Sequence, residues 1–373
     1  MEPFKNNLSS ELVVCIAGHL ARHLDEFDRS AFEVSILNDL SSLELKERVQ
    51  LIADHIHDAL PCDYTVRYQI IREILHPVTD TNGALQSDEN GICGWGMMPL
   101  GLVVGRHGGA AFEESLLLLK EMTKRFSSEF DVRYFLLADQ DRALNIMKKW
   151  IGDPNRHVRR LVSEGTRPRL PWAMQLPKLV AAPYPTLPLL EALRDDPEEY
   201  VRRSVANHLN DIAKDHPDLV ADLAKDWMQG ADKVREKLVR HACRTLIKQG
   251  HPVALEAFGV RAPEIELQKL SIATDIMKLG DTLIFTADIC STAARSQSLI
   301  IDYLVHFKKA NGKQKTKVFK WKKLTLKAEK IISITRSHPI RPITTRRYYE
   351  GRQALSLRIN GQDFGFEEFF LLM

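Results

Sequence analysis

A helix start recurs at a fixed distance in this chain, and that repeat limits the fold more than any other feature. Asp153-Pro154 precedes Val158-Arg159-Arg160, and Asp196-Pro197 precedes Val201-Arg202-Arg203 with an offset of 43 residues; a weaker third copy, Val234-Arg235, comes 33 residues after Val201. Proline fits the first turn of a helix, where its missing N–H costs nothing, so each proline is expected at a first helical position. Periods of this size built from helix pairs stack into a solenoid, each unit burying its apolar stripe against its neighbours. In the second copy Val201, Val205, Leu209 and Ile212 form the stripe, while Arg203, Asn207 and Asp211 fall on another line at i, i+4, i+8. A HEAT-like α-solenoid, with a concave surface available for binding, follows.

The helical pattern holds to about residue 258, through segments such as Leu12–His23, Leu43–Leu60 and Phe112–Phe126. Thr79–Gly96 is rich in turn formers and is expected to be a loop. Beyond a linker at Gly259–Glu264 the periodicity shortens to two, in Thr282–Ile289, Leu299–Phe307, Leu324–Ala328, Ala354–Ile359 and Phe364–Leu371. Asn311-Gly312 and Asn360-Gly361 are hairpin turn signals. Seven or so short strands in this length suit an immunoglobulin-like sandwich, with a small barrel as the alternative. The expected class is mostly α: a HEAT-like α-solenoid at 1–258 followed by an all-β immunoglobulin-like sandwich at 263–373.

Charge is divided unevenly between these parts. Residues 263–373 hold 19 Lys and Arg against 11 Asp and Glu; of the totals of 52 and 49, the rest keeps 33 and 38. A basic domain on a slightly acidic body fits a polyanionic partner, although a solvated lysine-rich surface has the same composition. The five cysteines are scattered and form no C-x-x-C pair, which points to a reducing compartment and a cytoplasmic protein. The start of the chain is polar rather than signal-like, and no apolar run is long enough to span a bilayer. No metal or cofactor is expected: His55-x-His57 and His107-Gly108-Gly109 lack a ligand set, and Gly91, Gly94 and Gly96 lack the strand and helix of a dinucleotide loop.

Three helical segments carry candidate chemistry. In Ser127–Arg133, Ser128 and Asp131 have capping-box spacing, and Glu129 would favour a helix N-terminus, so local structure alone accounts for them. In Leu161–Trp172, Gly165 is expected to end a helix, leaving Glu164 where the helix dipole disfavours an anion. An Arg160–Glu164 pair at i, i+4 would compensate. Arg167, Arg169 and Trp172 follow closely; arginines beside an indole suit phosphates and a cationic or stacked base, while packing accounts equally well for the indole. The third segment is Arg202-Arg203 with Asn207, His208 and Asp211, which a solvated helix face explains unless they line the same concavity as Glu164. In the basic part, Lys308, Lys309, Lys313, Lys315 and Lys317 cluster near one hairpin and Arg346-Arg347-Tyr348-Tyr349 near another. Aromatics among basic residues suit groove or phosphate contacts, and lysines also protect sheet edges.

The strings SSEFDVRYFL from Ser127, SEGTRPRLPW from Ser163 and VRRSVANHLNDIAKDHPD from Val201 resemble the AlkC branch of the AlkC/AlkD DNA alkylation repair family. VHFKKANG from Val305 and ITTRRYYEG from Ile343 are similar to the immunoglobulin-like domain that some AlkC members carry. The likeness runs from about Trp95 to near the end, and SEGTRPRLPW is its most specific part. Tyr134, where the family usually has proline, and the aromatic ending FEEFFLLM depart from the pattern. The resemblance implies a glycosylase for cationic N3-alkylated bases such as 3-methyladenine and 3-methylcytosine, acting on duplex DNA as a monomer in the bacterial cytoplasm, at the nucleoid. It carries catalytic or lesion-facing roles onto Glu129, Glu164, Trp172 and Asp211. Arg160, Arg167, Arg169, Arg203, Lys308, Lys309, Arg346 and Arg347 are the expected DNA contacts. The competing readings are a non-catalytic helical scaffold for a protein partner and a DNA-binding member without catalysis.

Overall fold

A computed structural model describes residues 3–79, 85–343 and 346–373; part of the expected loop, residues 80–84, and Thr344 and Thr345 lie outside the described residues. The chain divides into two compact units, 1–215 and 216–373.

The first unit is helical. Its α-helices are α1 (Ser10–Leu20), α2 (Arg29–Leu40), α3 (Leu45–Ala59), α4 (Tyr64–Glu73), α5 (Met97–His107), α6 (Phe112–Met122), α7 (Val132–Ala138), α8 (Gln140–Lys148), α9 (Arg156–Gly165), α10 (Pro177–Ala181), α11 (Leu187–Leu193) and α12 (Glu199–Ile212). Helices pack on near neighbours, α3 on α5 and α9 on both α11 and α12. The α12 stripe is fully buried at Val201, Val205, Leu209 and Ile212, as its spacing requires.

The repeated helix start is built differently from the expectation. α9 begins at Arg156 and α12 at Glu199, so Pro154 and Pro197 stand ahead of the helices rather than at their first positions. The aspartate before each proline does the structural work: Asp153 Oδ1 accepts from the Asn155 N–H and Asp196 Oδ1 from the Glu198 N–H, both at 2.9 Å. Such turns satisfy a backbone donor locally while proline holds φ. The repeat also continues at the arginines. Arg159 donates to the Asp153 carbonyl and Arg202 to the Asp196 carbonyl. Arg159 then reaches the next copy, binding Asp196 through both carboxylate oxygens at 2.6 and 3.0 Å. Asp–Pro–x–x–x–Val–Arg thus ties one repeat to the next. One further local reading changes. α7 is preceded by Asp131, which makes no side-chain capping bond, so the Ser128/Asp131 box does not form. Gly165 ends α9 as expected, and it also lets Val132 approach: a Cβ there would lie 2.6 Å from Val132 Cγ2.

The second unit combines α13 (Pro217–Met228), α14 (Lys233–Ala242), α15 (Arg244–Gln249) and α16 (Pro252–Ala257) with eight strands among the described residues. These are β1 (Ile265–Ile272), β2 (Ile276–Lys278), β3 (Thr282–Ser291), β4 (Gln297–Lys308), β5 (Gln314–Leu326), β6 (Ile331–Pro339), β7 (Gly351–Ile359) and β8 (Gln362–Leu372). One sheet has the order β1-β3-β6 and the other β2-β8-β7-β4-β5, with only β2 and β8 parallel. The core between them alternates along each strand: Leu283, Phe285, Ala287 and Ile289 from β3 meet Tyr303, Val305, Leu355 and Leu357. The Asn360-Gly361 turn joins β7 to β8 with both residues at positive φ, 45° and 87°. That is the geometry a tight two-residue hairpin needs. The basic strand β5 starts ten residues before the expected Leu324, because its lysines alternate with only half-buried Val318, Phe319 and Trp321 and hide the period.

Candidate active site

Glu164 and Asp211 come from helices that pack together, and one guanidinium joins them. Arg167 donates from Nη1 to Glu164 Oε1 at 2.6 Å and from Nε to Asp211 Oδ2 at 2.8 Å. Both carboxylates are buried, at 5% and 1% exposure. The chain of charges continues on each side. Arg160 lies 2.7 Å from Glu129 and 3.6 Å from Glu164, so its nearer partner is Glu129 and the i, i+4 pair is the looser one. Lys214 holds the other Asp211 oxygen at 2.8 Å, and Ser204 donates to Glu164 Oε2 at 2.6 Å. Glu129, Arg160, Glu164, Arg167, Asp211 and Lys214 therefore alternate in sign across one surface.

Alternation is what lets these charges stay buried. Desolvation alone would raise the Glu164 carboxyl, but Arg160 and Arg167, with bonds from Ser204 and Arg167, outweigh it and hold the group below the ordinary carboxylate value. Glu164 is an anion at neutral pH. His208, on the same turn of α12 as Asp211, is fully buried and pushed down to about 4 by that burial, so it is neutral.

Trp172 stands apart from this rigidity. It is 65% exposed and adopts a left-handed backbone, φ 67°, an arrangement rare for a bulky residue and concentrated at functional sites. Lys46 donates to its carbonyl at 2.8 Å, and the Phe4 ring meets its indole edge-on at 6.4 Å. The loop carrying Arg167 and Trp172 is anchored by Arg133, which exposes no surface. Arg133 donates to the carbonyls of Met174, Gly165 and Arg167 at 2.6, 2.9 and 2.8 Å. Burial, then the Arg167 charge, lowers its own pKa to about 10, and the carbonyls take the role of a counter-charge.

The remaining expected contacts are placed elsewhere. Arg169 forms a two-pronged pair with Asp215 at 2.7 and 2.8 Å, outside the alternating chain. Arg203 is 61% exposed and pairs with Glu199, one turn back on α12, at 3.3 Å. In the second unit the two basic segments meet around one cavity of about 490 Å³, lined by Lys308, Lys309, Lys315, Lys317, Arg346 and Arg347 among others. Arg346 lies 4.1 Å over the Phe307 ring and Arg347 5.7 Å over Tyr349. Lys313 donates its backbone N–H to Asn311 in the adjoining turn.

Several participants carry no separate signal in the sequence. Ser204 and Lys214 sit at helical spacing around Asp211 and were legible in principle from that spacing. Phe4 and Lys46 reach Trp172 only through the fold. Among the described residues there is no group of His, Cys, Asp and Glu that could hold a metal, and no helix is long and apolar enough to cross a membrane.

Comparison with known proteins agrees with this arrangement at both ends of the chain. Residues 130–246 match the model of the DNA alkylation repair enzyme family, and residues 266–373 match the C-terminal Ig-like domain of the uncharacterised protein YhaZ. The uncharacterized protein YhaZ of Bacillus subtilis is 35% identical over 97% of both chains. The structure of the Pseudomonas fluorescens alkylpurine DNA glycosylase AlkC, bound to DNA containing an abasic site analog, is similar over the full length of both chains, with 34% identity and a TM-score of 0.80. A helical-repeat body, an Ig-like domain and full-length identity above one third place the chain in the AlkC branch of the DNA alkylation repair enzyme family.

Proposed function

We propose that the protein is a DNA glycosylase that excises cationic N3-alkylated bases, 3-methyladenine and 3-methylcytosine, from duplex DNA. The observation that carries this reading is that two buried carboxylates from different helices hold the same Arg167 guanidinium. A scaffold for a protein partner does not need two acids to converge on one guanidinium.

An N3-alkylated base is already positively charged, so its bond to the sugar is weak and its departure needs little acid catalysis. Positive charge then moves onto the sugar as the bond lengthens. Fixed anions near that carbon stabilise the charge, as preorganised groups do wherever charge develops. Glu164, kept ionised by its arginines, supplies the fixed negative end. Asp211 is the residue for the water. Its Oδ1 partner, Lys214, has a side chain 45% exposed and is the least confined member of the charge chain. A backbone phosphate drawing Lys214 away would free Oδ1 to orient or deprotonate water, a general-base role. Glu129 supports the pair by occupying Arg160, and Trp172 offers its exposed face to the cationic base. The basic cavity of the second unit supplies phosphate contacts, in a working division of 1–258 for catalysis and 263–373 for DNA binding. We assign the protein to the cytoplasm, acting as a monomer at the nucleoid.

The test is direct. Incubated with methylated duplex DNA, the protein should release free 3-methyladenine and 3-methylcytosine, leaving abasic sites that alkali cleaves. Tight DNA binding with no base released would favour the non-catalytic reading.

A further inference from the structure

Trp172 is held by groups far from it in sequence. A left-handed backbone persists in a bulky residue only where the surroundings over-determine it. Burial does not do so here: the side chain is mostly exposed, and a cavity of about 450 Å³, walled by Leu45, Val49, Leu102 and Phe130, opens beside it. Arg133 holds the carbonyls of Arg167 and Met174, on either side of Trp172 in the loop. Two groups from the start of the chain meet Trp172 itself. Lys46, in the first turn of α3, donates to its carbonyl at 2.8 Å, a bond strengthened by the charge of the donor. The Phe4 ring lies 6.4 Å from the indole at an interplanar angle of 66°. That is a favourable aromatic pair, for which centroids lie roughly 4.5–7 Å apart. Phe4 is backed by other rings, stacked on Trp95 at 5.7 Å, which leans on Phe126 at 5.4 Å. The short turn Phe4–Asn7 is also tied to the start of α3. Arg48 donates to the carbonyls of Lys5 and Leu8 at 3.1 and 3.2 Å, and Lys5 pairs with Glu44 at 2.6 Å. Phe4 and Lys46 therefore stand on one platform.

We infer that Phe4 and Lys46 are positioning residues for base release: they hold the Trp172 indole with its open face toward the cationic lesion. The inference rests on the glycosylase reading above, in which Trp172 meets the base. Neither side chain has to touch DNA. A cation is attracted to the face of an indole, within about 6 Å of the ring centre, and repelled by its edge. An exposed ring free to turn gives up part of that attraction to the ordering it undergoes on binding. A ring braced at its carbonyl and against Phe4 is ordered before the DNA arrives. The brace uses contacts on two sides of the residue, so losing either one loosens the same ring.

The experiment measures single-turnover release of 3-methyladenine and affinity for undamaged duplex on full-length variants. Phe4→Ala and Lys46→Met should each lower the rate about tenfold with duplex affinity unchanged, and Phe4→Tyr should restore the parental rate. In a Trp172→Ala background neither change should lower the rate further, because both act through that ring. The brace itself is read by fluorine NMR after labelling the five tryptophans with 5-fluorotryptophan. Phe4→Ala should shift and broaden the Trp172 resonance, identified by its loss in Trp172→Phe, and leave those of Trp150, Trp227 and Trp321 in place. Rates lowered as much in the Trp172→Ala background as in the parent, or an unmoved Trp172 resonance, overturn the proposal. So does weaker binding of undamaged duplex by Lys46→Met with a shallower salt dependence, which would make Lys46 a phosphate contact. Parental release by both Phe4→Ala and Lys46→Met would sink the positioning role alone; no release by the parent protein would sink the glycosylase reading instead.

Discussion

The chain deploys charge in two unlike ways. In the helical unit six charged side chains alternate in sign, and the central pairs Glu164–Arg167 and Asp211–Arg167 are almost wholly buried. In the sandwich the cations Lys309, Lys315, Lys317 and Arg347 are exposed and line one cavity with no carboxylate among its walls. The first arrangement fixes position: each interior charge is set by two neighbours, so the middle of the chain cannot deform without leaving an ion bare. The second fixes little, and it leaves cations available to an outside anion. Chemistry at one carbon needs the former; gripping a backbone of repeating phosphates needs the latter.

Replacing a charge should therefore have opposite consequences in the two regions. Arg167→Met strands two buried carboxylates and should cost about 3–5 kcal/mol of stability, read by urea unfolding. A loss below about 1 kcal/mol would mean that the buried chain is not held as a unit. Arg346→Ala with Arg347→Ala should leave stability nearly unchanged but weaken DNA binding, and lower the slope of log affinity against log salt by roughly one per lost phosphate contact. An unchanged slope would remove the sandwich from the DNA contact.

The smaller effects sharpen the same contrast. Burial and the nearby Glu129 charge raise the Asp131 carboxyl to about 8 in the folded state, from the ordinary aspartate value of 3.8. Between those values the folded state holds the extra proton, so this group's contribution to stability falls as pH rises toward 8. Asp131→Asn cannot lose that proton, so its stability relative to the parent should improve steadily from pH 5 to pH 8. A difference that stays flat over that range would show that Asp131 ionises normally. Arg203→Ala, which removes only an exposed pair on α12, should change stability by less than about 0.5 kcal/mol. A thermal melt is sufficient to check it.

Much of the architecture was legible because periodicity and turn chemistry are local. The 43-residue recurrence gave the stacked helices, and Asn360-Gly361 gave the hairpin. Errors arose where tertiary contact decided the outcome. Asp131 reads as a cap, yet it enters a cavity that only α3, α5 and the Trp172 loop together enclose. Glu164 was legible as a candidate through its unfavourable place at a helix end, and Asp211 through the family resemblance. Their shared arginine was not, because Arg167 meets Asp211 across 44 positions of sequence. Arg133 is the extreme case. It lies within SSEFDVRYFL, but its anchoring of three carbonyls is invisible until the loop is folded around it.

The central claim is that Glu164 stabilises positive charge on the sugar as the base departs. Single-turnover release of 3-methyladenine by Glu164→Gln, compared with the parent protein and with Arg142→Ala, which removes an exposed pair with Glu113, measures it most directly. The account predicts a rate lowered by about 100-fold or more for Glu164→Gln, with DNA affinity retained and Arg142→Ala at the parental rate. Equal rates for Glu164→Gln and the parent would contradict it.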